Sequence, residues 1–311
     1  MAVKLGYLLP TRERIMVGQP ETGPLLALAA QAEAIGFDSV WIGDSLLARP
    51  RHEPLTLLAA VAGRTRTVKL GTAVLLPALR NPVIMAHQIA TLDQASDGRV
   101  ILGVGIAGDV PNIRREFEAA GVPFEKRVGR LLEGLRLCRA LWTGQPVDWD
   151  GYWKVDQGVL APTPAQAGGP PIWMGGGAPA GLIRAGREWD GWFPTGPDAT
   201  GWAQKFADVK QAAKDAGRDP DELTGALYLT VAIDEDRARG DAAVNQYLED
   251  YYGVPAAVIR KRQACFSGNR EDVRDWLKGY VDAGVAHLVL RFVGDHNRHL
   301  EAVADFRAEL G

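Results

Sequence analysis

The chain has 311 residues, 47% of them hydrophobic, which is enough to bury one large core and too apolar for a disordered segment. Its 35 Lys and Arg against 38 Asp and Glu leave a net charge of −3, so nothing favours nucleic acid or an anionic membrane, and a small organic molecule is the expected partner. No apolar stretch approaches membrane-spanning length and the run before Pro10 is too brief for a signal-peptide core, so a cytoplasmic protein is expected.

In chain order, short apolar runs alternate with longer helical patterns, the signature of βαβ units around a buried parallel sheet. KLGYLLP (4–10) precedes the helical PLLALAAQAEAIG, and SVWIGDS (39–45) precedes PLTLLAAVAGRT. VKLGTAVLL (68–76) leads to NPVIMAHQIATLDQAS, with Asn81 placed as N-cap and Pro82 as the first helical residue. RVILGVG (99–105) is followed by a long helical stretch around 128–142. The rhythm then breaks over 143–171, an inserted region rich in Gly, Pro and Trp. Its Trp149, Tyr152 and Trp153 are expected either to cover a site or to pack as a surface hairpin. PIWMGGG (171–177), DGWFPTG (190–196), ALYLTVAID (226–234) and HLVLRFVG (287–294) complete eight strands. The pattern predicts the α/β class and a single TIM-type (β/α)8 barrel over 1–311, with an insertion before the fifth strand and the chemistry at the C-terminal strand ends.

Cys138 and Cys265 stand far apart with no CxxC neighbour, and the five histidines include no HExxH pair, so neither a disulfide framework nor a metal centre is expected. Gly103 to Gly108 spells GxGxxG, but on the fourth strand and followed by DVPN. A glycine-rich strand end that lets a flat ligand approach the backbone accounts for it better than a dinucleotide fingerprint. Gly43-Asp44-Ser45-Leu46 matches an esterase block, with Asp295 and His296 as distant triad partners. No base neighbours Ser45 in sequence, so a serine hydrolase is a minor reading. Gly175, Gly176, Gly177 and Ala178 join a strand to a helix whose first amides lack intrahelical partners, a natural seat for phosphate.

Taken together, the stretches WIGDSLLARPRHEPLTLLAAVAGRTRTVKLGTAVLLPALRNP, QIATLDQASDGRVILGVG, GVPFEKRVGRLLEGLRLCRALWTG and PIWMGGGAPAGLIRAGREWDGWFPTG resemble the bacterial luciferase-like oxidoreductase superfamily over nearly the whole chain. The resemblance implies a TIM-type barrel that binds reduced FMN or the deazaflavin coenzyme F-420. With FMN the implied chemistry is monooxygenation, often with a separate flavin reductase; with F-420 it is hydride transfer. It implies self-association as a homodimer. It places a bulge containing a non-prolyl cis peptide at Ala73-Val74, the ring beside Gly103 and Gly105, and the phosphate at Gly175 to Ala178, where Ala178 replaces a frequent serine. Asp44 matches an acidic strand end, while Ser45 stands where a histidine frequently follows, which tilts the reading towards an FMN-dependent monooxygenase. Asp44, Asp109 and Arg291 are the expected catalytic charges. Thr11, Arg12, Ser45, Trp192 and His296 are the expected substrate contacts. A non-catalytic flavin-binding protein is the alternative from another class.

Overall fold

A computed structural model describes residues 2–311. Its strands are β1 Lys4–Leu8, β2 Ser39–Ile42, β3 Lys69–Thr72, β4 Val100–Val104, β5 Val147–Asp150, β6 Lys154–Gly158, β7 Ile172–Met174, β8 Gly191–Trp192, β9 Thr224–Ile233, β10 Cys265–Gly268 and β11 His287–Phe292. Nine of them form one sheet, in which β10 is an addition on β9; the other eight follow the order of a (β/α)8 barrel, with β9 paired to both β8 and β11. The chain divides into two compact units. One holds the chain up to Trp41 and from Trp173 onward, the other Ile42–Ile172.

In the first unit β1 lies between β11 and β2, with Tyr7 opposite Leu290 and Val40. Period-2 alternation decides which side chains face inward. Gly6 is turned towards Ser39 and Trp41: a Cβ there would lie 2.5 Å from the indole nitrogen of Trp41. The Trp41 ring sits 5.4 Å from that of Trp173, 5.0 Å from Phe193 and 5.6 Å from His287, so four strands of this unit meet in one aromatic layer. Polar edges inside the layer are satisfied in series: the Trp41 N–H donates to Ser39 Oγ (2.7 Å), which lies 2.7 Å from His287 Nε2. Residues of the opposite parity, Tyr7 and Trp192 among them, point outward to the helical layer.

His287 is buried, and burial pushes its pKa down to about 4. The unfolded chain, with an ordinary imidazole, then binds the proton more readily, so the stability His287 allows is complete above about pH 6.5 and is lost as pH falls towards 4. For this residue alone the loss at pH 5 is about 2 kcal/mol relative to pH 8. Urea unfolding of the wild type and His287→Gln at both pH values checks this, because the variant should lose that part of the pH dependence.

In the second unit β3 pairs with β4, Leu70 opposite Val100, beneath the helices Pro54–Arg64, Pro82–Ala95 and Arg127–Leu141. Asn81 accepts from the N–H groups of Val83 and Ile84, and Pro82 is the first helical residue, as the sequence predicts. The inserted region holds the antiparallel pair β5–β6. It clasps the Arg127–Leu141 helix: Glu133 accepts from the Tyr152 N–H (2.6 Å) and the Trp149 indole (3.1 Å), while Arg130 lies over the Trp153 ring at 4.6 Å. Of the two expectations for its aromatics, the packed surface hairpin is the one observed. Among the described residues no helix is long and apolar enough to cross a membrane.

Candidate active site

In the second unit the strand ends expose backbone rather than side chains. Ala73-Val74 is a cis peptide directly after β3. The Ala73 N–H donates to the Ile42 carbonyl, the Leu75 N–H to Gly103, and the Gly105 N–H back to Leu75, so the three strand ends are tied around this peptide. A Cβ at Gly105 would lie 2.5 Å from Val74 Cγ2, and one at Gly43 would lie 2.4 Å from Arg51 Nη1 and 3.4 Å from the Ala73 carbonyl. Glycine at 43 and 105 therefore keeps a flat surface clear around Ala73-Val74. The GxGxxG run lies partly beyond β4 and the next helix begins only at Pro111, so its glycines do not open a helix as a dinucleotide motif requires.

Asp44 and Ser45 are both engaged. Asp44 Oδ2 accepts from the Leu76 N–H (2.9 Å) and from Arg80 Nη1 (2.5 Å), and Oδ1 accepts from Arg80 Nη2 (3.1 Å). Arg80 also reaches Glu53, whose carboxylate caps the next helix at the Thr56 N–H. Burial works against the Glu53 charge, but Thr56 and Arg80 hold its carboxyl below the usual range. Asp44 is thus a strut that holds the 73–76 bulge, not the catalytic charge expected. The Ser45 hydroxyl donates to the buried Glu116 (2.8 Å) and accepts from the Arg49 N–H; Glu116 also takes the N–H groups of Leu47 and Ala48. Ser45 anchors its loop and has no imidazole partner, which removes the serine-hydrolase reading and the substrate contact assigned to it. Glu116 went unseen because nothing in EFEA marks a buried carboxylate. Asp109 is exposed in a bidentate pair with Arg114 (2.6 and 2.7 Å) that extends to Glu125. It is a surface ion pair rather than a catalytic group.

In the first unit Gly175 to Ala178 follow β7, with Gly176 at φ +97° and Ala178 capping the Pro179–Glu188 helix without a side-chain bond. Two residues hold this turn. Trp192 donates its indole N–H to the Gly176 carbonyl (2.7 Å), and the half-buried Lys205 reaches the Gly177 carbonyl (3.3 Å). Trp192 is fully buried and stacks on Trp202 and Phe206, so it supports the turn from the outer layer and is not the expected substrate contact. Lys205 brings a cation to a turn that lacks the serine hydroxyl. Its position in GWAQKFADVK was hidden among surface lysines, although i, i+3 and i+4 spacing places it on a face with Trp202.

His296 also lies in the outer layer. Its Nδ1 is 2.8 Å from the hydroxyl of the buried Tyr7, and burial pushes its pKa down to about 4. The single Tyr7 proton has no other acceptor among the described residues, so it is donated to Nδ1. His296 therefore packs behind β1 and β11 and is not the substrate contact expected. Asp295 caps the following helix at the Asn297 and Arg298 N–H groups.

Arg291 does point inward, at the end of β11. Its guanidinium is buried and donates to Thr230 Oγ1 (2.7 and 3.1 Å), Tyr252 Oη (3.0 Å) and Gln263 Oε1 (2.9 Å), with the rings of Tyr228, Tyr247, Tyr251 and Tyr252 at 5.0 to 5.6 Å. No carboxylate of the described residues pairs with it. Arg12 donates to the Tyr251 carbonyl and lies over its ring at 5.1 Å, and Glu13 accepts from the Tyr247 hydroxyl. Thr11 is buried at the start of the same short helix. Beyond β8 a cavity of about 430 Å³ is lined by Asp198, Arg260, Lys261, Arg262, Gln263 and Tyr280, among others. Among the described residues no cluster could hold a metal ion.

The (β/α)8 barrel and the relatives that follow make this chain an enzyme of the flavin- or F420-dependent oxidoreductase class. The chain belongs to the luciferase-like monooxygenase family, whose model matches residues 3–311. It is 32% identical over 306 residues to an F420-dependent glucose-6-phosphate dehydrogenase of Nocardia farcinica (strain IFM 10152), covering 89% of this chain and 90% of that protein. It is 31% identical to the enzyme of that name from Mycobacterium avium (strain 104), over 96% of this chain and 95% of the relative. Solved structures of similar fold include an F420-dependent secondary alcohol dehydrogenase with an F420-acetone adduct (TM-score 0.79, 22% identity, 98% of both chains). A monooxygenase from Streptomyces bottropensis superposes with TM-score 0.82 at 22% identity, over 97% of this chain and 98% of that one.

Proposed function

We propose that this protein is an F420-dependent dehydrogenase that moves a hydride between a hydroxyl-bearing carbon of a small anionic substrate and the deazaflavin. The observation that carries this reading is the near full-length likeness, above 30% identity, to dehydrogenases named for that cofactor. It favours hydride transfer over the oxygen chemistry that Ser45 alone suggested, and F420 takes the place of reduced FMN and a flavin reductase.

Each of the two units, taken by itself, carries residues that suit a part of such a group. Gly175 to Ala178 and Lys205 offer amides and a cation to a phosphate, and a Cβ at Gly177 would come 3.3 Å from Lys205 Nζ, so glycine keeps that approach open. Ala73, Val74, Gly103 and Gly105 offer backbone to the face of a flat ring. Bound F420 supplies the hydride acceptor. Lys261 and Arg262, exposed on the wall of the 430 Å³ cavity, suit a phosphate or carboxylate on the substrate, whereas Arg260 is spent on Asp241 and Asn245.

Titration of the purified protein with F420 and with reduced FMN, followed by fluorescence, tests the reading. Saturable F420 binding, and bleaching of F420 on adding a sugar phosphate, are expected. Lys205→Glu should weaken F420 binding about tenfold or more, the size of a lost charge-assisted hydrogen bond. Tight binding of reduced FMN with oxygen consumption, and none of F420, would overturn it.

A further inference from the structure

The cavity of about 430 Å³ is built wholly by the first unit, and its walls differ in chemistry. One wall is cationic. Lys261 and Arg262 are exposed there, and neither side chain makes a hydrogen bond or ion pair with a described residue, whereas Arg260 is held by Asn245 and Asp241. A second wall is aromatic. Trp276 and Tyr280 stand one turn apart on the Arg270–Asp282 helix, at the i, i+4 spacing that puts both on one face. Tyr280 is buried and its hydroxyl donates to the Pro197 carbonyl (3.2 Å), so it offers ring surface rather than a donor. Trp276 is half-buried and braced: it stacks on Phe266 with centroids 5.1 Å apart at 13°, and Arg237 lies over Phe266 at 5.1 Å. Asp198 completes the lining. One of its oxygens accepts the Gly201 N–H (2.8 Å) as the N-cap of the Ala199–Asp215 helix, and the other accepts no hydrogen bond among the described residues.

We propose that Trp276 is the specificity-determining residue of this cavity and that the ligand it selects is a ring-bearing anion with a single charged group. Its phosphate or carboxylate lies at Lys261 and Arg262, its ring against Trp276, and a ring hydroxyl donates to the open oxygen of Asp198. The assignment rests on the reading above that this cavity seats an anionic substrate. A cavity that recognised charge alone would need only the two cations. An aromatic wall adds affinity only for a ligand that brings a face or a row of C–H groups to it, and a few convergent polar groups then fix the orientation. An open-chain anion of the same charge makes the first of the three contacts and leaves the indole against water. Asp198 adds a restriction of its own: its carboxylate repels a second anionic group at that end of the cavity, so a bisphosphate is disfavoured against a monophosphate.

Calorimetric titration of the full chain without cofactor tests this with three phosphate monoesters: glucose 6-phosphate, phenyl phosphate and the open-chain glycerol 3-phosphate. The wild type should bind the two ring ligands about tenfold more tightly than glycerol 3-phosphate, the upper end of what an aromatic contact adds. Trp276→Leu should remove that preference and leave the affinity for glycerol 3-phosphate unchanged, while Trp276→Phe, which restores an aromatic ring, should recover much of it. Lys261→Ala with Arg262→Ala should weaken all three ligands alike and flatten their salt dependence. Asp198→Asn, which keeps an oxygen for the helix cap, should weaken glucose 6-phosphate more than phenyl phosphate. Equal affinity of the wild type for the three ligands overturns the assignment. So does a Trp276→Leu protein that loses glycerol 3-phosphate as much as the ring ligands, because the indole would then only support the wall. Binding of none of the three overturns both this assignment and the anion seat; F420 titration, carried out separately, then decides the hydride-transfer reading by itself.

Discussion

Replacing Arg80 with alanine is expected to destabilise the protein by about 3 kcal/mol, the lower end of the cost of leaving one member of a buried ion pair alone. The side chain of Asp44 is 4% exposed and that of Arg80 19%, so solvent cannot take over the lost partner at the carboxylate. Arg80 closes a fork on Asp44 and also holds Glu53 at the N-terminus of the next helix, so its loss loosens the bulge after β3 and a helix cap together. Burial opposes the Arg80 charge, but Asp44 and Glu53 raise its pKa, so the guanidinium stays charged. Asp44→Asn alone should also be costly, whereas Asp44→Asn with Arg80→Ala should cost clearly less than the two single changes summed, because no buried charge is then left alone. Urea unfolding of the four proteins at pH 7 provides the cycle. Additive losses would show that the fork carries no coupling. On the proposed reading F420 affinity in Arg80→Ala should fall as well, since Leu76, whose N–H rests on Asp44, lies two residues beyond Val74.

The barrel was legible because a parallel strand buried on both faces must be a continuous apolar run, and eight such runs separated by helical patterns leave few topologies. Where the reading of a strand overran, it overran mostly at the C-terminal end: GDS after β2, AVLL after β3 and GGG after β7 lie beyond the regular strands, with only Leu75 still bridged, to Val104. Those residues read as strand because they are small or apolar, yet in the structure they carry the candidate site. Side-chain roles were less legible because they depend on parity. Trp192 and Phe193 are adjacent aromatics, but only Phe193 enters the inner layer, and sequence alone does not say which. Arg291 faces inward from β11, whereas His296 lies in the outer layer, because a residue just past a strand can turn behind it. Lys205 and Glu116 were missed for another reason: their partners lie 28 to 71 residues away, where no local motif encodes them. A face formed by Tyr247 and Tyr251 at i, i+4 spacing, with Tyr252 beside it, was the one available signal for the tyrosine cluster.

Trp41→Ala is expected to cost about 3–5 kcal/mol, the range for truncating a fully buried large aromatic. Trp41 has no exposed surface, and its ring touches aromatic side chains from β7, β8 and β11, so the space it leaves is walled by elements whose backbones are fixed in the sheet and cannot collapse inward. The polar part of the loss is small, because Ser39 keeps its contact to His287 when the indole donor is gone. A second substitution separates packing from other causes. In the wild type Gly6→Ala drives its Cβ to within 2.5 Å of the Trp41 nitrogen and 2.6 Å of Ser39 Oγ, and is strongly destabilising. In the Trp41→Ala background one of those two collisions disappears and the new methyl fills part of the cavity, so Gly6→Ala should cost less there than in the wild type. Chemical denaturation of the single and double variants measures that coupling. Equal costs in the two backgrounds would mean that Gly6 is constrained by Ser39 alone, and that the indole is not what requires glycine at the centre of β1.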